Sequence, residues 1–402
     1  MAKPRVEITF WGEASVQFQN SIFTEGYKKL HPEVKINLEE IPSQNIREKV
    51  MIALATGNSP DVLGDYIGRL GNWANQGFLA SLSGTLSVED EKDFMSSVLN
   101  QFKIDGELFG YPMRYWVISY MVNKSILDKV GIGDIYPGTD FPLKDWMIIA
   151  KKVKELGYFA TCFFANGRSG DYWMLTNFLI FGANLWENGN YKETTLNSGK
   201  GVMALEWMID MVKGGYAPSG VAGITDGDYL NFMNTGRSVM QGRTPGTALA
   251  TETLFDNGLL DYIPDFRVVG TPHASGILNP PLFIGPSGYV VFKEDDTEKL
   301  KTSIDFAKFV TSKENSKKVC EAYQQLSARY SVRLFEDQKC FLVAQKLISE
   351  NGVGDLGLSS PHYLEVRDAQ FPELQAAFMG KKTPQQALDD FAKKIRNIWK
   401  EK

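Results

Sequence analysis

Between Ile46 and Tyr66 the chain builds a helix, stops it and starts a strand, and that order leaves few folds open. Apolar Ile46, Val50, Ala53 and Leu54 share one helical face. Gly57 supplies a left-handed stop, and Pro60 keeps the helix from resuming. Val62-Leu63 then reads as a short buried strand, followed by the polar Asp65 and the aromatic Tyr66. In an α/β sheet, a polar-aromatic loop of this kind meets a ligand at the carboxyl end of a strand.

The segments on either side extend the pattern. Val6, Ile8 and Phe10 alternate with Arg5, Glu7 and Thr9, a strand that ends at Trp11-Gly12-Glu13. Phe18, Ile22, Phe23, Tyr27 and Leu30 mark a helix stopped by His31-Pro32, and Val34, Ile36 and Leu38 alternate again. This βαβ order needs a right-handed crossover and a parallel sheet, so the first ~110 residues read as one doubly wound lobe. After the hairpin signal 105–112 and the apolar run 115–122, helices are expected at 144–156, 172–181 and 201–212, with loops at 165–171, 214–228 and 242–246. Gly285-Pro286-Ser287-Gly288 breaks the chain before a buried strand at 289–292. For the last helix Thr383 can cap, Pro384 suits the first position and Gln386 completes a capping box. Leu388, Phe391, Ile395 and Ile398 then form one apolar stripe.

A chain of 402 residues exceeds one ordinary core, which makes two domains the prior. The net charge of −5, without a Lys/Arg cluster, offers no field for nucleic acid. The histidines His31, His273 and His362 are scattered, so no metal site is expected, and no cofactor either. Cys320 and Cys340 leave a disulfide open, since spacing cannot bring their Cα atoms within reach. No apolar run approaches a membrane span. Met1-Ala2-Lys3 opens directly onto a strand, as in a cytoplasmic protein or one whose export signal has been removed.

Several stretches, taken in order, resemble the family 1 extracellular solute-binding proteins of the maltose-binding-protein type. They are Val6 to Trp11 with Tyr27-Lys28-Lys29-Leu30-His31-Pro32-Glu33-Val34-Lys35-Ile36, the stretch 53–61, and Gly110-Tyr111-Pro112 leading to Val122-Asn123-Lys124. Thr235-Gly236-Arg237 and the tail 380–388 complete the set. The resemblance implies an α/β, two-lobed periplasmic-binding-protein fold of type II, with three hinge crossings and a ligand cleft between the lobes. Residues 1–112 and 288–325 would form the N-terminal lobe, and 113–287 and 326–402 the C-terminal lobe. It also implies a monomeric, exported, non-enzymatic protein in the periplasm or on the cell surface as a lipoprotein. Such a protein captures a sugar, an oligosaccharide by family habit, and delivers it to an ABC transporter permease.

The loops that the resemblance places at the cleft carry the candidate ligand residues. They are Trp11 and Glu13; Asp65, Tyr66 and Arg69; Arg114, Tyr115 and Trp116; Asn166, Arg168, Asp171 and Trp173; Arg243; and Tyr363 and Arg367. Aromatic faces stack on the CH-rich face of a pyranose, while carboxylates, amides and guanidinium groups take its hydroxyls. Trp173 also fits a helical core with Leu175 and Phe178, and Asp171 could simply cap that helix. The 242–246 loop lacks an aromatic, and the arginines Arg114, Arg168, Arg243 and Arg367 keep an acidic sugar or another polar solute open. Glu13 and Asp65 could instead be the acid pair of a glycoside hydrolase, and a free-standing receptor module could use the same cleft. Gly352 to Gly357 matches a dinucleotide-binding motif by letter but opens no clear helix. Asp226-Gly227-Asp228 lacks the later glutamate of a calcium loop.

Overall fold

The strands run Val6–Glu13 (β1), Val34–Ile41 (β2), Val62–Tyr66 (β3), Lys103–Ile104 (β4), Glu107–Leu108 (β5), Gly110–Asn123 (β6), Met240–Arg243 (β7), Phe266–Val269 (β8), Phe283–Val291 (β9) and Leu326–Ser327 (β10). They come from a computed structural model that describes residues 5–14, 17–42, 45–135, 138–167, 171–187 and 189–400. Internal contacts divide the chain into two units. Unit 1 runs up to Trp116, resumes over Gly285–Leu334 and takes up the short return Leu358–Tyr363. Unit 2 holds Val117–Ile284, Phe335–Gly357 and the chain from Leu364 onward.

In unit 1 the strand order is β10-β6-β9-β3-β1-β2. β1 runs parallel to both neighbours, with Phe10 opposite Leu38 of β2 and Val62 of β3. The alternation along β1 puts Ile8 and Phe10 fully inside. Phe10 meets Phe306 edge-on at 5.1 Å, and Tyr27 meets Phe306 and Phe309 at 5.2 and 5.4 Å, which locks the helices Gln17–Leu30 and Thr297–Val310 to the sheet. Burying each such ring contributes about 2–3 kcal/mol.

The opening motif of the sequence does structural work at the start of β3. The helix Ile46–Thr56 buries Ile46, Val50 and Ala53 and ends at Gly57, whose φ of 69° lets the next amides turn back onto Ala53 and Leu54. Asp61 is buried, accepts from the Thr9 amide at 2.7 Å and pairs with Lys299 at 2.8 Å. The carboxylate thereby pins β3 beside β1. β3 then continues antiparallel to β9, with Asp65 opposite Gly288 and Tyr66 opposite Ser287.

In unit 2 the second half of β6 lies between β7 and β8, antiparallel to both. The three expected helices appear as Leu143–Glu155, Asp171–Leu179 and Gly199–Lys213. The final helix, Pro384–Ile398, has the full capping box, with Thr383 accepting from Gln386 and Gln386 from Thr383. Leu388, Phe391 and Ile395 are buried, while Ile398 is only half-buried at the last turn. A second capping box, Thr225 with Asp228, turns the Asp226-Gly227-Asp228 run into a helix start. Gly352, at φ 78°, ends the helix Lys339–Asn351, and none opens across the glycines that follow. Cys320 lies in unit 1 and Cys340 in unit 2, and both thiols are free and buried. Burial pushes the Cys320 thiol up to about 12, so it stays protonated.

Candidate functional site

The carboxyl ends of the parallel strands β1 and β3 bring the unit 1 candidates together. Glu13 is the last residue of β1, and Asp65 and Tyr66 are the last two of β3. The first turn after β3, Ile67–Arg69, folds Arg69 back onto Asp65 as an ion pair. Across the sheet, Arg114 on β6 lies 3.8 Å from Glu13 and donates to Gln325 Oε1 at 2.5 Å. Its guanidinium also stands 4.1 Å above the Tyr323 ring. Glu13, Gly64, Asp65, Arg114, Ser287 and Tyr289 line a pocket of about 20 Å³, room for about one water molecule.

Asp65 is the most constrained group there. Its side chain is 6% exposed, and Oδ2 has no hydrogen-bond partner among the described residues. Burial pushes its carboxyl above the usual carboxylate range, against the pull of Arg69, and the charge on Glu13 adds to the rise. An acceptor oxygen left without a donor in a protein interior is costly, and a ligand hydroxyl would satisfy it.

Unit 1 also holds a group of aromatic rings. Tyr66 and Trp116 are both half-buried and stack with centroids 6.1 Å apart and planes 21° from parallel. Tyr66 and Tyr363 share a hydroxyl-to-hydroxyl bond of 3.1 Å, which fixes the tilt of the Tyr66 ring. Strand periodicity separates the three adjacent candidates on β6. Arg114 and Trp116 share one face, and Tyr115 between them is 2% exposed with its phenol pushed well up by burial. Tyr115 is therefore a core side chain. Trp11 is also enclosed, at 5% exposure, with the Lys49 ammonium 4.7 Å over its ring.

In unit 2, Asp171 begins the helix Asp171–Leu179 and pairs with Arg367 at 2.8 Å. Burial raises the Asp171 carboxyl while Arg367 opposes the rise. Trp173, 9% exposed, stacks on Tyr229 at 5.5 Å, and Phe164 meets it edge-on at 6.3 Å. Asn166 is exposed and donates to Gly223 O at 3.3 Å. Arg243 stands at the end of strand β7, not in a loop, and is 5% exposed. It donates to Leu230 O and Asn234 Oδ1, both at 2.9 Å, and so closes the carboxyl end of the helix Asp226–Asn234. Burial lowers the Arg243 guanidinium to about 10. Arg168 lies outside the described residues.

Sequence reading missed Gln325 and Tyr323, the partners of Arg114, and Ser287 in the pocket wall. Gln325 follows the helix Lys313–Tyr323 through the left-handed Gln324, at φ 52°. No residue type at that helix end announces a link to position 114.

Two α/β units woven from alternating chain segments, with polar and aromatic groups at the carboxyl ends of parallel strands, define the class of solute-binding folds. The chain belongs to the bacterial extracellular solute-binding proteins, whose family profile matches residues 23–340. The structure is similar to the GacH receptor of Streptomyces glaucescens, solved unliganded and with acarbose (TM-score 0.77, 20% identity, 100% of both chains). It is similar to the cyclic alpha-maltosyl-1,6-maltose binding protein from Arthrobacter globiformis (TM-score 0.79, 17% identity, 98% of this chain and 99% of that one). A third similar structure is the maltose-maltodextrin binding protein of Alicyclobacillus acidocaldarius (TM-score 0.76, 19% identity, 97% and 100%). At such identities the likeness carries the fold alone. No curated protein matches the sequence. Among the described residues no helix is long and apolar enough to cross a membrane.

Proposed function

We propose that the chain binds a neutral oligosaccharide outside the cytoplasm and delivers it, unchanged, to the membrane permease of an ABC importer. The observation that carries this reading is the Tyr66–Trp116 stack, taken with the unpartnered oxygen of Asp65 in the same unit. The two rings offer aromatic surface for the CH-rich face of a pyranose, and Asp65, Glu13 and the arginines of the same unit offer hydroxyl partners. The ligands named for the similar structures, acarbose and maltodextrin-type sugars, are of that chemistry.

Charge argues for a neutral ligand. Arg69 answers Asp65, Arg114 answers Glu13, Arg367 answers Asp171, and Arg243 is spent on a helix end. No cation of these four is left over for an acidic sugar. The same pairing speaks against a hydrolase, because both candidate acids are already held by guanidinium groups. In this reading Glu13, Asp65, Tyr66, Arg69, Arg114, Trp116 and Tyr363 meet the ligand from unit 1. Asp171 and Arg367 are held by each other within unit 2. Trp11, Tyr115, Trp173 and Arg243 support the site from behind. The working protein is a monomer, in the periplasm or held at the cell surface.

A thermal-shift panel of maltose, maltotriose, cyclic glucans, oligogalacturonates and amino acids tests the reading. One class of neutral sugar should raise the midpoint, since saturation at 100 times Kd adds roughly 2.7 kcal/mol. Release of new reducing ends from that sugar by the pure protein would sink it.

A further inference from the structure

Gly285 opens the β9 segment of unit 1, is buried, and lies directly against Trp116. A Cβ built on it would come 1.7 Å from Cζ2 and 1.9 Å from Cε2 of the indole. Non-bonded carbons do not approach so closely, so the indole occupies the volume any side chain at 285 would need. Backbone shape does not call for glycine here, because Gly285 is not among the positive-φ residues. Glycine within a strand weakens it and often marks a close approach, which in this case is that of an aromatic ring. Gly68 does the same for the other rings, with a Cβ that would fall 2.6 Å from Tyr66 and 2.3 Å from Tyr363.

We propose that Gly285 is a positioning residue for ligand binding, which seats the Trp116 indole in its near-parallel stack with Tyr66. The proposal rests on the reading of that stack as a sugar platform. The physical reason is steric. Trp116 reaches the near-parallel geometry, 21° from the Tyr66 plane, only by lying across a position without a side chain. Any methyl at 285 drives the indole into another rotamer and breaks the stack. An aromatic platform that must be rebuilt on binding loses the affinity that preorganisation supplies.

The test uses the full chain labelled with 5-fluorotryptophan, in which Trp116→Phe assigns the Trp116 resonance among the 8 tryptophans. Gly285→Ala should shift that resonance without ligand and lower maltotriose affinity at least about tenfold, on the order of losing one stacked ring. The Gly285→Ala/Trp116→Ala double variant should bind no worse than Trp116→Ala and should recover the thermal midpoint lost in Gly285→Ala. That recovery is expected from a steric conflict and not from a backbone role of glycine, and it can be read even if Gly285→Ala alone folds poorly. A Trp116 resonance that stays in place in Gly285→Ala overturns the proposal. So does a moved resonance with maltotriose affinity intact, where Trp116→Ala loses it. If Trp116→Ala itself binds maltotriose normally, the platform reading fails first and takes the proposal with it.

Discussion

The two units use the same residue types for opposite ends. In unit 1, Tyr66 and Trp116 are half-buried rings stacked on each other over glycines, and Asp65 keeps an oxygen without a partner. In unit 2, Trp173 is enclosed by Tyr229 and Phe164, and Arg243 is 5% exposed and tied to a helix end. A tryptophan or arginine near a strand end is thus no sign of a ligand by itself. What separates the rings is enclosure, since Trp173 is 9% exposed although its Nε1 has no hydrogen-bond partner among the described residues, whereas Tyr66 and Trp116 are half-buried.

Substitutions should split along that line. The largest effect is expected for Arg243→Ala, which removes a buried guanidinium and takes a donor from the Asn234 side chain and the Leu230 carbonyl. It should cost about 3 kcal/mol in a denaturant titration, with Arg243→Lys rescuing little because an ammonium cannot reach both acceptors. Asp171→Ala comes next, at about 3 kcal/mol or slightly less, since it removes the carboxylate paired with Arg367 at 15% side-chain exposure. Asp171→Asn should recover part of that loss. If either variant kept full stability and lost only sugar affinity, the contrast between the units would collapse.

Unit 1 should answer in the opposite sense. Trp116→Ala and Tyr66→Ala should weaken sugar binding by about 1–3 kcal/mol in calorimetry while the fold persists. The smallest effect is the pH response. Asp65 and Asp171 both have folded-state values raised above the unfolded ones, so the folded chain holds their protons more firmly. Their stabilising contribution is complete below the unfolded pKa and fades as pH rises through the raised folded values. Stepping down from neutral pH should therefore let these two acids add stability, while sugar affinity falls as Asp65 takes up its proton. Denaturant midpoints read beside calorimetry over that range check both directions, and Asp65→Asn should flatten the affinity response.

Much of the fold could be read from residue order. Gly57, the alternation in β1 and β2, and the Thr383-Pro384-Gln386 start signal are local devices, and the structure has them where the sequence put them. Within the candidate site the legible part was the pair Asp65 and Tyr66, which follow a short strand at its carboxyl end. The period of two along β6 could have sorted Tyr115 from Arg114 and Trp116, had the run been read as one long strand. Arg243 was misplaced because Gly242 and Pro245 suggested a loop, whereas pairing to Ser119, a long-range contact, makes it strand. Gln325, Tyr323 and the return of Leu358–Tyr363 to unit 1 depend on contacts between distant segments and leave no local trace.

The central claim is that Arg69, Arg114, Arg243 and Arg367 are spent within the protein and that the ligand is an uncharged sugar. Calorimetric titration of the full chain with maltotriose and with trigalacturonate, each repeated across salt concentration, tests it most directly. Maltotriose should bind tightly with an affinity that barely changes with salt, and trigalacturonate should bind weakly or not at all. Tight binding of trigalacturonate that fades as salt rises, with maltotriose inert, would contradict the account.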